Sequence, residues 1–539
     1  MKVSDLFVKC LEQEGVRYVF GVPGEENEDL LFSLERSSIR FVPTRHEQGA
    51  AFMADVWGRL TGQAGVCLAT LGPGATNLVT GVADAFLDKS PVVAITGQAG
   101  LGRIQKESHQ YLDVLALFRP VTKWNGSISS PDVTAELVRK AFKIAETEKP
   151  GATHLELPED VAKLETDRQP LRVTRVRRPD PDRHALENAV KLLHAAKKPL
   201  VIAGNGVIRM HASEQLRELV LRCRLPVVNT FMGQGVVADS SPQSLFTIGL
   251  GFRDIVMDAV DQADVIVTVG YDLAEYAPHR WNPNADKHII HIDFSPAEVY
   301  THYQPSVELA ADIGATLREL NAAIKVEECA CDPSWYAPVR RRIVDDIAGY
   351  DLKEGQPFTV PGVLNVLRMV MGDDDLLISD VGSHKLWIAR NFPVNSPNGC
   401  LISNGLASMG FALPGAVAAA LVDPGRRIVA AMGDGGFLMN SQELETAQRL
   451  GVAFTVLIFN DNEYGLISWK QRMSHGHAIG TKLTNPDFKR YAESFGIKGY
   501  SPRTLAELKG QLREAVASKA LCVVDVPVVQ AEFHGDHIG

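Results

Sequence analysis

Short, continuously apolar runs alternate along this chain with longer stretches whose apolar residues recur at helical spacing. Runs at 18–20, 40–42, 66–70 and 92–96 are interleaved with helical patterns at 3–14, 26–34, after Glu47 and at 76–85. Because they are apolar throughout rather than alternating, such runs predict strands buried on both faces, and therefore parallel sheets covered by helices. The grammar resumes at 199–203, 265–269 and 288–292, and again at 376–379, 427–432, 453–459 and 521–526, with a helix expected at 440–450. An arginine- and proline-rich stretch at 172–183 separates the first set from the second, and a charged helical pattern at 336–350 separates the second from the third. The predicted fold class is α/β, with three doubly wound or Rossmann-like parallel-sheet domains at 1–165, 185–330 and 355–539. The first and third share one strand–helix grammar and are expected to be similar sheets facing each other.

Composition narrows the function. With 539 residues, 45% hydrophobic and 22% charged, the chain has ample core for several domains. A net charge of −10 argues against broad electrostatic binding to nucleic acid or anionic membrane, and the arginines at 172–178 read as a solvated linker. The N-terminal pattern MKVSDLFVKCLEQEG is amphipathic with internal charges, unlike a secretory leader. No apolar stretch reaches the roughly 18 residues of a membrane span. Seven scattered cysteines, among them Cys329 and Cys331 without a second pair at zinc-site spacing, lead us to expect reduced thiols in a cytoplasmic protein.

The most informative chemistry lies in the third domain. The apolar run 428–432 ends in Gly433-Asp434-Gly435-Gly436, and Asn460-Asp461-Asn462-Glu463 follows the run 453–459. Glycines after a buried strand permit a tight turn and close backbone approach, and the helix N-terminus beyond them offers free N–H groups to an anion. An aspartate there repels phosphate unless a divalent cation intervenes, and hard cations such as Mg²⁺ take carboxylate, carbonyl and phosphate oxygens together. If the two runs are neighbouring strands, Asp434 and Asp461 converge at the ligand-binding edge of the sheet. GDGG alone is equally a surface turn; the paired motif carries the reading. In the second domain Gly204-Asn205-Gly206 lacks the further glycine of a dinucleotide fingerprint and reads as structural or vestigial.

Four ordered motifs, Gly21-Val22-Pro23-Gly24, Arg45-His46-Glu47-Gln48-Gly49, Gly72-Pro73-Gly74-Ala75-Thr76-Asn77 and GDGG with its NDN partner, resemble those of the thiamine-diphosphate enzymes of the acetolactate synthase group. That resemblance, spanning essentially the full length, implies that Glu47 engages N1′ of the cofactor aminopyrimidine, where a carboxylate can share a proton with a ring nitrogen. It implies that Met409 is the apolar wedge between the two cofactor rings, that Asp434 and Asp461 ligate Mg²⁺, and that Glu463 adds mainly its backbone carbonyl. Pro23, Gly24, Gly72, Asn77, Ser383, His384, Gly433, Gly435, Gly436, Tyr464, Gly465 and Leu466 are the further cofactor-binding positions it implies. Pyruvate is the implied substrate, giving 2-acetolactate and CO₂. A homodimer with active sites at the interface, and beyond it a homotetramer, belongs to the same expectation.

Within the group, His109-Gln110-Tyr111-Leu112-Asp113, Gly270-Tyr271-Asp272 and Gly382-Ser383-His384 resemble the FAD-independent catabolic type, so FAD is not expected. Gln110 is the first polar candidate to orient substrate and His109 a second, each otherwise a loop hydrogen-bonder; Arg45 and Lys123 are weaker cationic candidates. One departure stands out: Lys470 occupies a position where the resemblance implies glutamine, or tryptophan in flavin enzymes, and a flexible point charge differs from a neutral donor–acceptor. Trp469 points elsewhere on a helix. Another thiamine-diphosphate-dependent 2-keto acid decarboxylase or carboligase with a different acceptor, and a catalytically silent homologue, remain the alternatives.

Overall fold

In the computed structural model, which describes residues 1–174, 176–250 and 253–531, the chain forms three six-stranded, all-parallel sheets. Arg175 of the linker and residues 532–539 of the third domain lie outside the described residues. The first sheet comprises β1 (Tyr18–Gly21), β2 (Arg40–Pro43), β3 (Gly65–Ala69), β4 (Val92–Gln98), β5 (Trp124–Ser127) and β6 (Ala152–Pro158), in the order β2-β1-β3-β4-β6-β5. The second comprises β7 (Pro199–Ala203), β8 (Val227–Asn229), β9 (Ser244–Thr247), β10 (Val265–Val269), β11 (His288–Asp293) and β12 (Val307–Ala310), in the order β12-β11-β10-β7-β8-β9. The third, β13 (Leu376–Ser379), β14 (Cys400–Ile402), β15 (Ile428–Gly433), β16 (Thr455–Asn460), β17 (Lys498–Tyr500) and β18 (Cys522–Pro527), runs β14-β13-β15-β16-β18-β17. The first and third sheets therefore have the same strand order, with no matching residues needed to produce it.

Every residue of β3, β4, β7 and β10 is buried, as their largely apolar character predicts, and the polar Thr96, Gln98 and Thr268 among them are buried too. Edge strands were harder to read. Trp124–Ser127 and Lys498–Tyr500 are short and carry glycine or polar residues, because only one side of an edge strand is paired. In the second sheet, a Cβ on Gly206 would lie 2.6 Å from the Gly270 Cα, and one on Gly204 would lie 2.7 Å from the Tyr271 Cα. The Gly-Asn-Gly turn thus packs against the loop after β10 at the point where strand order reverses, the crevice such folds use for dinucleotides.

The first and third units share one core. Helix Glu47–Thr61 starts on the side chain of its cap His46, whose Nδ1 accepts the Gln48 N–H, and ends at Gly62 in the left-handed region. It packs against helix Ala412–Val422, whose small, wholly apolar sequence lets backbones approach closely. Phe52 and Phe411 meet edge to face with ring centres 5.6 Å apart. At the rim of this interface, fully buried Asp55 and Asp88 flank Arg59, with Arg59 Nε 2.8 Å from Asp55 and a second guanidinium nitrogen bonded to Asp88. Asp88 also accepts the backbone N–H groups of Asn404 and Gly405, and Asp84 accepts the Ser403 hydroxyl at 2.6 Å. Burial, reinforced by the charges of Asp88 and Asp55, holds the Asp84 carboxyl well above the usual range.

Two expectations are corrected. Segment 440–450 is not one helix: Asp434–Asn440 and Glu443–Leu450 are separate, and between them the Ser441 hydroxyl is shared with that of Tyr491 at 2.9 Å. Nor are all cysteines reduced: Cys223, ending helix Ser213–Cys223, is disulfide-bonded to Cys329 across 106 residues, with Cα atoms 5.6 Å apart. Tertiary packing brings these together, which spacing along the chain does not reveal; the other five are free and buried.

The Arg59 cluster yields a stability prediction. Arg59→Met leaves several carboxylates in the core without their cation, and should destabilise the protein by about 3–5 kcal/mol. Denaturant unfolding should show a clearly lowered midpoint; an unchanged one would refute the role assigned to the guanidinium.

Candidate functional site

Strands β15 and β16 pair in parallel register with Gly433 opposite Phe459. Asp434, the next residue after β15, and Asp461, the next after β16, therefore emerge side by side at the carboxyl edge of the third sheet. Asp434 opens helix Asp434–Asn440 and is 1% exposed. Burial raises its carboxyl, against the hydrogen bond from Asn485. Asp461 is pushed up to about 7, first by burial and then by the charge of Asp434. Among the described residues no basic side chain pairs with either, and no cluster of three or more His, Cys, Asp and Glu side chains forms a closed metal cage. Two mutually repelling carboxylates with room for carbonyl and phosphate oxygens suit a hard divalent cation held jointly with a diphosphate.

Glycines shape the surrounding cradle. A Cβ on Gly433 would lie 3.3 Å from the His384 ring, one on Gly435 2.6 Å from Tyr464, and one on Gly465 2.7 Å from Asp461 Oδ2 and 3.1 Å from Ser383 Oγ. Any side chain at these positions would press on the residues that line the strand edge. The His384 ring stacks on Phe459 at 5.8 Å, and its buried Nε2 has no hydrogen-bond partner. Burial depresses its pKa to about 4, so the ring is neutral and can offer one N–H to an anion. These features fit a diphosphate group.

The neighbouring residues divide their tasks. The Glu463 carboxylate is turned away, 2.9 Å from Thr481 Oγ1, 3.3 Å from Arg472 and 3.2 Å from Lys482, while its carbonyl accepts the Gly465 N–H at 2.9 Å. The Tyr464 N–H donates to the Thr481 carbonyl at 2.8 Å, and Leu466 packs on the core. Asn485, which no motif singled out, donates through Nδ2 to Asp434 at 2.6 Å, Asn460 at 3.1 Å and Asn462 at 3.2 Å. It stands in a loop with no periodic signal, so only the folded chain reveals it. Met409 is half-buried, and the residue after it is gripped from both sides. Asp380 accepts the Gly410 and Phe411 N–H groups at 3.1 and 3.0 Å, and Asn440 donates to the Gly410 carbonyl at 2.8 Å.

On the first sheet, Glu47 is the buried first residue of its helix, and its Oε2 accepts from Asn77 Nδ2 at 3.0 Å. Pro23 and Gly24 form the turn after β1, where a Cβ on Gly24 would strike Thr70 at 2.5 Å. Gly72 has a positive φ of 51°, and a Cβ there would meet the Gln110 carbonyl at 2.7 Å. Gln110 and His109 are exposed in the loop that follows β4, with the His109 carbonyl accepting from Arg103. Lys123 is withdrawn from any substrate role: its Nζ donates to the carbonyls of Ile144, Thr147 and Lys149 at 2.6–2.7 Å. Arg45 engages Glu443 through its backbone. Lys470 is exposed on helix Gly465–His475, and Trp469 beside it is partly buried.

Three family models match in order: the thiamine pyrophosphate enzyme N-terminal TPP binding domain over residues 1–117, the central domain over 186–320 and the C-terminal TPP binding domain over 380–526. The chain is 36% identical to an acetolactate synthase of Bacillus subtilis (strain 168), covering 97% of this chain and 93% of the relative. It is 35% identical to a probable acetolactate synthase large subunit of Methanocaldococcus jannaschii, over 99% of this chain and 93% of that protein. A catabolic acetolactate synthase of Raoultella terrigena is 35% identical, over 97% and 94%.

The paired carboxylates can be tested without turnover. Asp461→Asn relieves the repulsion with Asp434, so the cofactor-free protein should melt higher than wild type, while added Mg²⁺ and diphosphate ligand should no longer raise its melting temperature. A variant stabilised by Mg²⁺ and ligand as strongly as wild type would contradict the geometry.

Proposed function

The chain belongs to the thiamine pyrophosphate enzyme family, as a thiamine-diphosphate-dependent 2-keto-acid enzyme of the acetolactate-synthase-like kind, and on that premise we propose that it is an acetolactate synthase. The proposed reaction joins two pyruvates: one loses its carboxylate as CO₂, its remaining two carbons bond to the keto carbon of the other, and one proton is taken up to give 2-acetolactate. The observation that carries this reading is the pairing of Asp434 with Asp461 at adjacent strand ends, in a chain with whole-length likeness to acetolactate synthases.

When bound, thiamine diphosphate supplies the electron sink for decarboxylation. In our reading Asp434, Asp461 and the Glu463 carbonyl hold Mg²⁺. Gly433, Gly435, Gly436, Ser383 and His384 receive the diphosphate, with Tyr464, Gly465 and Leu466 closing that side. Pro23, Gly24, Gly72 and Asn77 border the aminopyrimidine, and Glu47, oriented by Asn77, holds the proton shared with its N1′. Met409 would pack against the cofactor between its two rings. Gln110, with His109 beside it, orients the keto acid at the reacting carbon, and Lys470 bears on the choice of acceptor.

Proteins of this kind act on small 2-keto acids and work as oligomers. We propose a homodimer, assembling further to a homotetramer, in which Glu47 of one subunit serves the Asp434 edge of another. Exposed apolar side chains around that edge, Leu406, Met439, Ile467 and Met473, support coverage by a second copy. FAD plays no part in the proposal. A cytoplasmic location is part of the same reading; among the described residues no helix is long and apolar enough to cross a membrane.

Purified protein with pyruvate, Mg²⁺ and thiamine diphosphate should yield the five-carbon acetohydroxy acid; free acetaldehyde as the main product would instead identify a simple decarboxylase. Glu47→Gln should lose most turnover, roughly a hundredfold or more, while still binding cofactor, and near-normal activity would defeat the role of the carboxylate. With 2-ketobutyrate competing against pyruvate, Lys470→Gln should change the product ratio, and an unchanged ratio would remove Lys470 from acceptor choice.

A further inference from the structure

Glu443 lies outside the sequence motifs of the site, yet it is fully buried and begins the helix after the one opened by Asp434. Its Oε1 accepts the backbone N–H groups of Arg45 and His46, each at 3.1 Å, and its Oε2 accepts the Arg45 N–H at 3.3 Å and the Thr446 hydroxyl at 2.6 Å. Arg45 and His46 are the two residues immediately before Glu47. A carboxylate of the third unit thus grips the turn from which the catalytic helix of the first unit issues.

We infer that Glu443 is a positioning residue for Glu47, fixing the Arg45–His46 turn so that the Glu47 carboxylate is aimed at the cofactor; the inference rests on the reading of Glu47 given above. Four observations support it. The two amides stand ahead of a helix N-terminus, where donors lack intrahelical partners and negative charge is favoured. Gly49 leaves room for the carboxylate: a Cβ there would lie 2.8 Å from Glu443 Oε1, so the glycine in Arg45-His46-Glu47-Gln48-Gly49 fits this contact rather than a turn. Arg449, on the same helix as Glu443, donates to the Pro43 carbonyl at the end of β2, so one helix clasps both ends of the segment leading to Glu47. Asn77 holds the Glu47 side chain at 3.0 Å, so the side chain and the backbone turn before it are each gripped by a separate partner. Burial pushes the Glu443 carboxyl up to about 7 against the opposing hydrogen bonds, consistent with a group set there for geometry rather than for charge pairing.

Glu443→Ala and Glu443→Gln distinguish positioning from bulk stability. In cofactor-free protein, the Ala variant should lose amide hydrogen-exchange protection over residues 44–48. With Mg²⁺ and thiamine diphosphate bound, its rate of deuterium exchange at the cofactor C2, read by acid quench and NMR, should fall about tenfold to a hundredfold. Cofactor affinity and the pyruvate KM should change less than about threefold, a loss confined to the activated state. The Gln variant, whose side-chain oxygen can accept the same amides, should recover protection and most of the exchange rate. Should the Ala variant not fold, Gly49→Ala, which pushes against the carboxylate, should give the same drop in C2 exchange. Unchanged C2 exchange in the folded Ala variant, or in Gly49→Ala when that substitutes for it, would overturn the inference, as would a loss in which cofactor binding falls in parallel. Glu47→Gln is the control: if it leaves C2 exchange normal, the reading of Glu47 fails, whereas if it abolishes exchange and Glu443→Ala does not, the positioning role alone fails.

Discussion

Two carboxylates that repel each other in a buried strand-end cleft are the constraint around which this molecule is organised. Asp434 and Asp461 are brought side by side by the register of β15 with β16, and burial raises both against ionisation. Such a pair is unfavourable by itself and becomes favourable when a divalent cation and an anion complete it. The glycines on both sides, the neutral His384 ring and the diverted Glu463 carboxylate all leave space and charge for that completion.

Three further buried acids hold loops. Asp380 secures the backbone after Met409, Asp88 secures Asn404 and Gly405 on the approach to it, and Glu443 secures the turn before Glu47. Each is a buried acid whose carboxyl burial drives upward and whose partners include backbone N–H groups of a loop. Backbone donors fix a loop more firmly than side-chain donors, since the main chain cannot swing away without breaking its own neighbours' bonds. The first and third units are in this way joined by apolar helix packing and then aligned by a few buried acids. The second unit keeps the topology of a nucleotide fold but uses its Gly-Asn-Gly turn for close backbone packing against Gly270.

The sequence by itself determined the central strands, the three-unit α/β organisation and the motifs at both strand edges. A strand buried on both faces is almost wholly apolar, so 199–203, 265–269 and 376–379, with only Thr268 and Ser379 polar, match the observed strands to the residue. GDGG and NDN were legible because a tight turn after a buried strand restricts residue choice locally. Tertiary structure alone decided the rest. Asn485 meets Asp434 from a loop of unremarkable composition, Glu443 meets Arg45 and His46 across nearly four hundred residues, Cys223 meets Cys329 across 106, and Lys123 turns inward onto three carbonyls. None of these contacts imposes a periodicity or a short-range spacing, because a hydrogen bond or covalent link between distant segments constrains only their positions in space.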